Sequence, residues 1–274
     1  MARRLPMKSR PHENGYALLM VLIAVGLVAI MLGLLESRAR EEAETAIGLR
    51  DQAQAQAAVD GAIWQAVWQA LPGHAPGWPA DKSTHEITEG DAKVLVSVED
   101  LAGRLDLNRD SAAAVAVILR SFGVDAGTAL GLGQKLTDWR NDDTVKQTFG
   151  AKLPQYQAAG LPYGPPGTDY ENPAEIEFVL GMTPEIAKAL APRVTIYSSG
   201  LPQLSAARDA TEYAALSTAL QSEPAPSREP SAVFFYSFVA HTHVGSATAT
   251  RNAVLRLDMD ASNQGKFWRV LEWD

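Results

Sequence analysis

The chain has 274 residues, with 24 Lys or Arg against 32 Asp or Glu and no cysteine. The lack of cysteine excludes disulfides and thiol chemistry. Without residues 1–35, 20 basic and 31 acidic residues remain, a net charge of about −11 that argues against a general nucleic-acid surface.

Arg3, Arg4, Lys8 and Arg10 form a basic leader that ends at Gly15, and twenty residues without a charge follow, Tyr16 to Leu35. Twenty residues at about 1.5 Å rise make about 30 Å of helix, the thickness of a bilayer core. Basic residues ahead of the span keep the N-terminus in the cytoplasm and send the rest across the membrane. A cleaved secretory signal has a shorter apolar core, roughly 7–15 residues, and a small-x-small site behind it. This run continues into Glu36-Ser37-Arg38-Ala39-Arg40 with no clear site, which favours a retained single span.

The helical pattern persists from Glu36 to Leu71 without proline, and Pro72-Gly73 then stops it. Ala39, Ala43, Ala46, Ala53 and Ala57 recur at steps of three, four and seven, a candidate face for partner helices. Ile63, Val67 and Leu71 continue an apolar stripe. Span and continuation together make one helix of roughly 56 residues, about 84 Å long. Trp64 and Trp68 lie one turn apart and are expected to cover a sheet.

Further along, Val94, Val96 and Val98 alternate, and Leu105 and Leu107 follow Leu101-Ala102-Gly103. Lys93–Asp106 therefore reads as a β-hairpin. Asn108 to Ser198 reads as helical and turn-rich. A helix runs from Ser111 to Phe122 with Asp110 or Ser111 as cap, a second from Ala126 to Trp139, and Pro173–Leu180 with Pro184–Leu190 form a helical hairpin around Gly181. Glu223–Pro230 is a linker. Three strands close the chain: Val233–Val244, Ala247–Met259 and Lys266–Trp273. The long separation between the first hairpin and these strands makes an inserted helical domain more natural than a linear array.

The candidate sites are few. Val179–Pro184 resembles the turn of a helix-hairpin-helix, which grips phosphate with backbone amides. Pro184 removes one such donor, and residues 108–198 carry 8 basic against 10 acidic residues, the wrong sign for phosphate. A structural hairpin is favoured. Asp138, Asn141, Asp142 and Asp143 are the one carboxylate cluster that suggests calcium, which takes several oxygen ligands, although the spacing is not that of an EF-hand loop. The competing reading is a solvated helix end. His241 and His243 share a strand face, but zinc needs further ligands and no third histidine suggests itself, so a plain strand face is favoured. Gly-x-Ser-x-Gly, His-Glu-x-x-His and phosphate-loop patterns are all lacking, so no enzyme is expected.

The leader ending in Gly15, the aromatic Tyr16, the apolar helix and its amphipathic continuation resemble a type IV prepilin. Most pilins carry Glu as the fifth residue after the cut, and this chain has Met20. That departure is typical of minor pseudopilin K of type II secretion systems (general secretion pathway protein K). Five further stretches are similar to that family, in its order: Val98–Asn108, Thr137–Asp143, Ala159–Gly164, Leu180–Pro184 and Val194–Ser198.

The resemblance implies an α+β, type IV pilin-like fold, a long N-terminal helix on an antiparallel sheet, with an inserted mainly helical domain. The expected divisions are a prepilin leader (1–15), a transmembrane part (16–35), amphipathic helix and first hairpin (36–107), inserted helical domain (108–198) and C-terminal sheet (199–274). It implies cleavage between Gly15 and Tyr16 with N-methylation of Tyr16. It implies a minor subunit at the tip of the secretion pseudopilus that helps to initiate assembly, in the bacterial inner membrane with its bulk in the periplasm. The implied partners are other minor pseudopilins, the inner-membrane secretion platform and the lipid bilayer, with no nucleic acid. Calcium at Asp138, Asn141, Asp142 and Asp143 is also implied. However, Gly150-Ala151-Lys152 stands where the family commonly shows Gly-Ala-Glu, and a lysine at a ligand position opposes a cation. The rival readings are a minor pilin of a type IV pilus or DNA-uptake fibre, and a membrane-anchored helix-hairpin-helix nucleic-acid binder.

Overall fold

The computed structural model describes residues 14–71, 75–198, 210–221, 233–258 and 268–274. Residues 1–13, Pro72-Gly73, the linker Glu223–Pro230, Met259, Lys266 and Phe267 lie outside this set.

Helix α1 (Asn14–Ala70) is unbroken over 57 residues, about 86 Å at the usual rise. Its interior holds strong helix formers and no proline. Among the described residues it is the one helix long and apolar enough to cross a membrane, and its most apolar window is entirely exposed. Beyond Gln54 the same helix becomes a core element. Ala58, Ala62, Ala66 and Ala70 form one buried row at every fourth residue, flanked by Val59, Ile63 and Val67. Small side chains along that row let the helix axis approach the sheet closely, and the branched residues beside it fill the space between.

After α1, strands β1 (Asp81–Glu89) and β2 (Ala92–Asp100) form an antiparallel hairpin turned at Gly90-Asp91. The chain then leaves the sheet through a 3₁₀ turn, Leu101–Gly103, capped by the Asp100 side chain at Ala102 N. It continues into β3 (Leu105–Asp106), α2 (Ala112–Ser121), α3 (Ala126–Arg140), α4 (Leu153–Ala158), a second 3₁₀ turn (Pro173–Phe178) and α5 (Pro184–Leu190). Strand β4 (Val194–Thr195) returns parallel to β3, and α6 (Ala210–Gln221) follows. Strands β5 (Val233–Val244), β6 (Ala247–Asp258) and β7 (Trp268–Trp273) complete a five-stranded sheet of order β1-β2-β5-β6-β7, antiparallel throughout.

The register shows where the helical body enters. Val98 of β2 pairs directly with Phe238 of β5, so everything from β3 to α6 loops out between two neighbouring strands. The body has its own core, centred on Leu119, Leu132, Tyr156, Ile176 and Leu190, separate from the helix–sheet core. Leu216 of α6 joins that core, so it extends past Ser198 and α6 packs with the helices rather than with the C-terminal sheet.

Lys93–Asp106 is not a hairpin, and this corrects the sequence reading. The hairpin lies one strand earlier, and Leu101–Gly103 is the exit from the sheet. The reason is burial. β1 is an edge strand with Ile87 as its one fully buried residue, so its sequence DKSTHEITE carries little alternation. The three closing strands and helices α2, α3 and α5 match their sequence signals. Ser111, not Asp110, caps α2 by accepting from Ala114 N. Trp64 covers the sheet edge, stacking on Trp273 at 5.5 Å and meeting Trp268 edge-on at 4.9 Å. Trp68 instead stays 60% exposed.

Candidate assembly surface and acidic loop

Ala39, Ala43, Ala46, Ala53 and Ala57 are all exposed. The buried row begins at Ala55, and at 100° per residue Ala46, Ala53 and Ala57 fall on the opposite side of α1. The helix thus has two alanine faces, one spent on its own sheet and one open. Gly15 and Tyr16 lie in the first turn of α1, with Tyr16 exposed and Met20 on the bare apolar stretch.

The two ends of the sheet are distinguished by contacts with α1. The β5–β6 turn meets the lower part of the helix, where Ser246 N donates to Asp51 at 3.1 Å. Gly245 there has φ +56, and a Cβ would stand 2.0 Å from the Asp51 carboxylate, so only glycine fits. At the other end Trp78 N donates to Gln69 O and Asp100 N to Ala80 O, both at 2.9 Å. The helical body therefore leaves the sheet at the end remote from the apolar span.

The stretches of family-like sequence gather at this junction. Glu99, almost fully buried, accepts from Arg104 Nε at 3.1 Å and pairs with Lys82 at 2.9 Å. Arg104 also reaches Val194 O at 3.4 Å, which ties the sheet exit to β4. Asp106 is buried and accepts from Asn108 N at 2.8 Å and Ser198 Oγ at 2.6 Å. Asn108 exchanges two hydrogen bonds with the Tyr170 backbone, at 2.7 and 3.0 Å. Arg140 donates to Leu107 O and, at 2.9 Å, to Asp110 O. Burial lowers the Arg140 pKa, while Asp106 and Asp110 among its neighbours act to raise it. Tyr197 OH donates to Glu272 at 2.8 Å, a direct bond from the helical body to β7. An Arg140→Ala chain is expected to lose about 2–3 kcal/mol, since two main-chain acceptors lose a charged donor. Thermal unfolding of the full chain in detergent checks this.

The acidic residues do not converge. Asp138 is buried, and its carboxylate accepts from Gln147 N at 3.1 Å. It lies so close to Gly150 that a Cβ there would be 1.8 Å away. Asn141 ends α3 as its C-cap, with its N–H on Thr137 O. Asp142 and Asp143 face solvent. The main-chain oxygens of Asp138 and Asn141, the natural ligands for a hard cation here, accept instead from Lys152 Nζ at 2.7 and 2.5 Å. Among the described residues no three His, Cys, Asp or Glu side chains are placed to hold a metal. This donor set does not fit the calcium site that the sequence resemblance implies. Lys152 opposes a bound cation as its sequence position implies, and its ammonium does so by occupying these two oxygens itself.

Around Gly181, Val179 and Leu190 join the helical core, and Thr183 caps α5 by accepting from Ile186 N. His241 and His243 each pair across the strand with a threonine, Thr250 and Thr248, at 3.2 Å.

A long apolar N-terminal helix whose C-terminal part, from Ala55 on, forms the spine of an antiparallel sheet defines a pilin-like subunit, here with a helical body between two adjacent strands. Residues 95–199 match the family model of type II secretion system (T2SS) protein K. That stretch runs from β2 through the helical body to the residues just after β4. The fold is shared with a chain in the crystal structure of the GspK-GspI-GspJ complex from the enterotoxigenic Escherichia coli type 2 secretion system. The TM-score is 0.59 at 16% identity, covering 86% of this chain and 98% of that one. No curated protein matches this chain significantly in sequence.

Proposed function

We propose that this chain is a minor pseudopilin K of a type II secretion system and sits at the tip of the secretion pseudopilus, where it helps to start assembly. The observation that carries the reading is the exit of the helical body at the span-remote end of the sheet. A pilin-like fibre grows by stacking spans beneath pilin domains, and a bulky body on the far end obstructs a copy placed above it. Met20 agrees with this position. In the related pilins a carboxylate at that place neutralises the terminal amine of the subunit above, because an unpaired charge inside a helical bundle is costly. A subunit with nothing above it has no such need.

In this reading the N-terminus faces the cytoplasm, the span crosses the inner membrane once and the remainder is periplasmic. The open alanine face of α1 meets the helices of other minor pseudopilins, a hetero-oligomer of the kind that GspK forms with GspI and GspJ in the related crystal structure. The role is structural, and the family is not one of known enzymes. A strain lacking the chain is expected to retain its exported proteins in the periplasm, with wild-type chain restoring export. Normal export from that strain, together with lost twitching or DNA uptake, would place the subunit in a type IV pilus machine instead.

A further inference from the structure

We infer that the Lys152 ammonium takes the place of a divalent cation at the C-terminus of α3, so that residues 138–152 are held by a tethered charge and require no metal.

The last turn of a helix leaves main-chain carbonyls without intrahelical partners, and together they form the negative end of the helix dipole. In α3 these acceptors are distributed with little left over. Thr137 O takes Asn141 N at 3.3 Å, and Trp139 O takes Gly167 N at 3.0 Å. Asp138 O and Asn141 O both take Lys152 Nζ. The Nζ–O separations of 2.5 and 2.7 Å are close to the roughly 2.3–2.6 Å that calcium keeps from its oxygens. A divalent ion at this point would meet the ammonium itself.

The surroundings are arranged for one positive charge rather than two. The Asp138 carboxylate is turned to Gln147 N and packed against Gly150, and Asp142 and Asp143 are in water. The lysine is also held from its own backbone. Lys152 N donates to Gln155 Oε1 at 2.9 Å at the start of α4. The side chain thus spans from the first turn of α4 to the last turn of α3 and closes the loop between them.

The test compares melting and amide exchange of the full chain in detergent, in EGTA and in millimolar calcium chloride. Wild type is expected to show the same melting temperature in both. Lys152→Met keeps the aliphatic stem and removes the charge. It is expected to lower the transition by roughly 2–4 °C, to speed exchange of amides 141–150 at least tenfold, and to be unaffected by calcium. Lys152→Glu is expected to be destabilised in EGTA and to regain stability with calcium, because a carboxylate beside the two carbonyls recreates the demand for a cation. A calcium-dependent rise in wild type, a Lys152→Met chain that melts and exchanges like wild type, or a Lys152→Glu chain indifferent to calcium would each overturn the inference.

Discussion

A Gly15→Val chain is expected to remain full length, while wild type matures to an N-terminal Tyr16 carrying a methylated amine. The Gly15–Tyr16 bond lies far from both cores. Glycine suits a narrow subsite because it has no side chain and tolerates most backbone conformations, whereas valine is branched and stiff at χ1. A fall in cleavage of at least a hundredfold corresponds to about 2.8 kcal/mol in the barrier. Because residue 15 touches neither core, the folded domain should melt unchanged, separating a processing defect from misfolding. Intact-mass and N-terminal mass spectrometry read the result. A mature terminus near Ala39 would show an ordinary signal peptide and overturn the prepilin reading.

The second large effect belongs to the open face of α1. Ala46→Glu with Ala53→Glu is expected to weaken association with the other minor pseudopilins by about a hundredfold, about 2.8 kcal/mol. Both positions are exposed and opposite the buried row. Glutamate is nearly as good a helix former as alanine, so the chain's own melting should change by no more than about 0.5 kcal/mol. Ala62→Glu provides the contrast. Ala62 is fully buried against the sheet, and a charge there should unfold the domain rather than only detach it. Co-purification from cells expressing the minor subunits together, paired with thermal melts, separates the two effects.

The parts of this fold that were legible in the sequence are those with strong periodicity or a definite cap. The uncharged run from Tyr16 to Leu35 and the proline-free continuation define α1. Val94, Val96 and Val98 mark β2, and Val233–Val244 needed no correction as β5. β1 was missed because an edge strand with one buried residue has no pattern to show. α4 spans six residues from Leu153 and is opened by Pro154, which reads as a turn signal. α6 is recognisable as helical only once Leu216 is known to reach the helical core.

The sites divide along the same line. The alanine periodicity was visible, but which row turns inward depends on where the sheet sits, and the rows at Ala53 and at Ala58 are only five residues apart. The acidic loop misleads for a more general reason. A run of carboxylates is visible in sequence, whereas main-chain carbonyls, the groups that bind Lys152 here, are identical at every position. Arg104, Asp106, Asn108 and Arg140 were part of the family resemblance, but their shared role at the junction needed coordinates because their partners are up to 92 residues away.

The central claim is that this chain occupies the tip as a single copy. Native mass spectrometry of the minor-pseudopilin complex, extracted in detergent from cells expressing the full chains, tests it most directly. The account predicts a hetero-oligomer containing one copy of this chain, and no filament of this chain alone. Several copies per complex, or filaments formed from this subunit by itself, would contradict it.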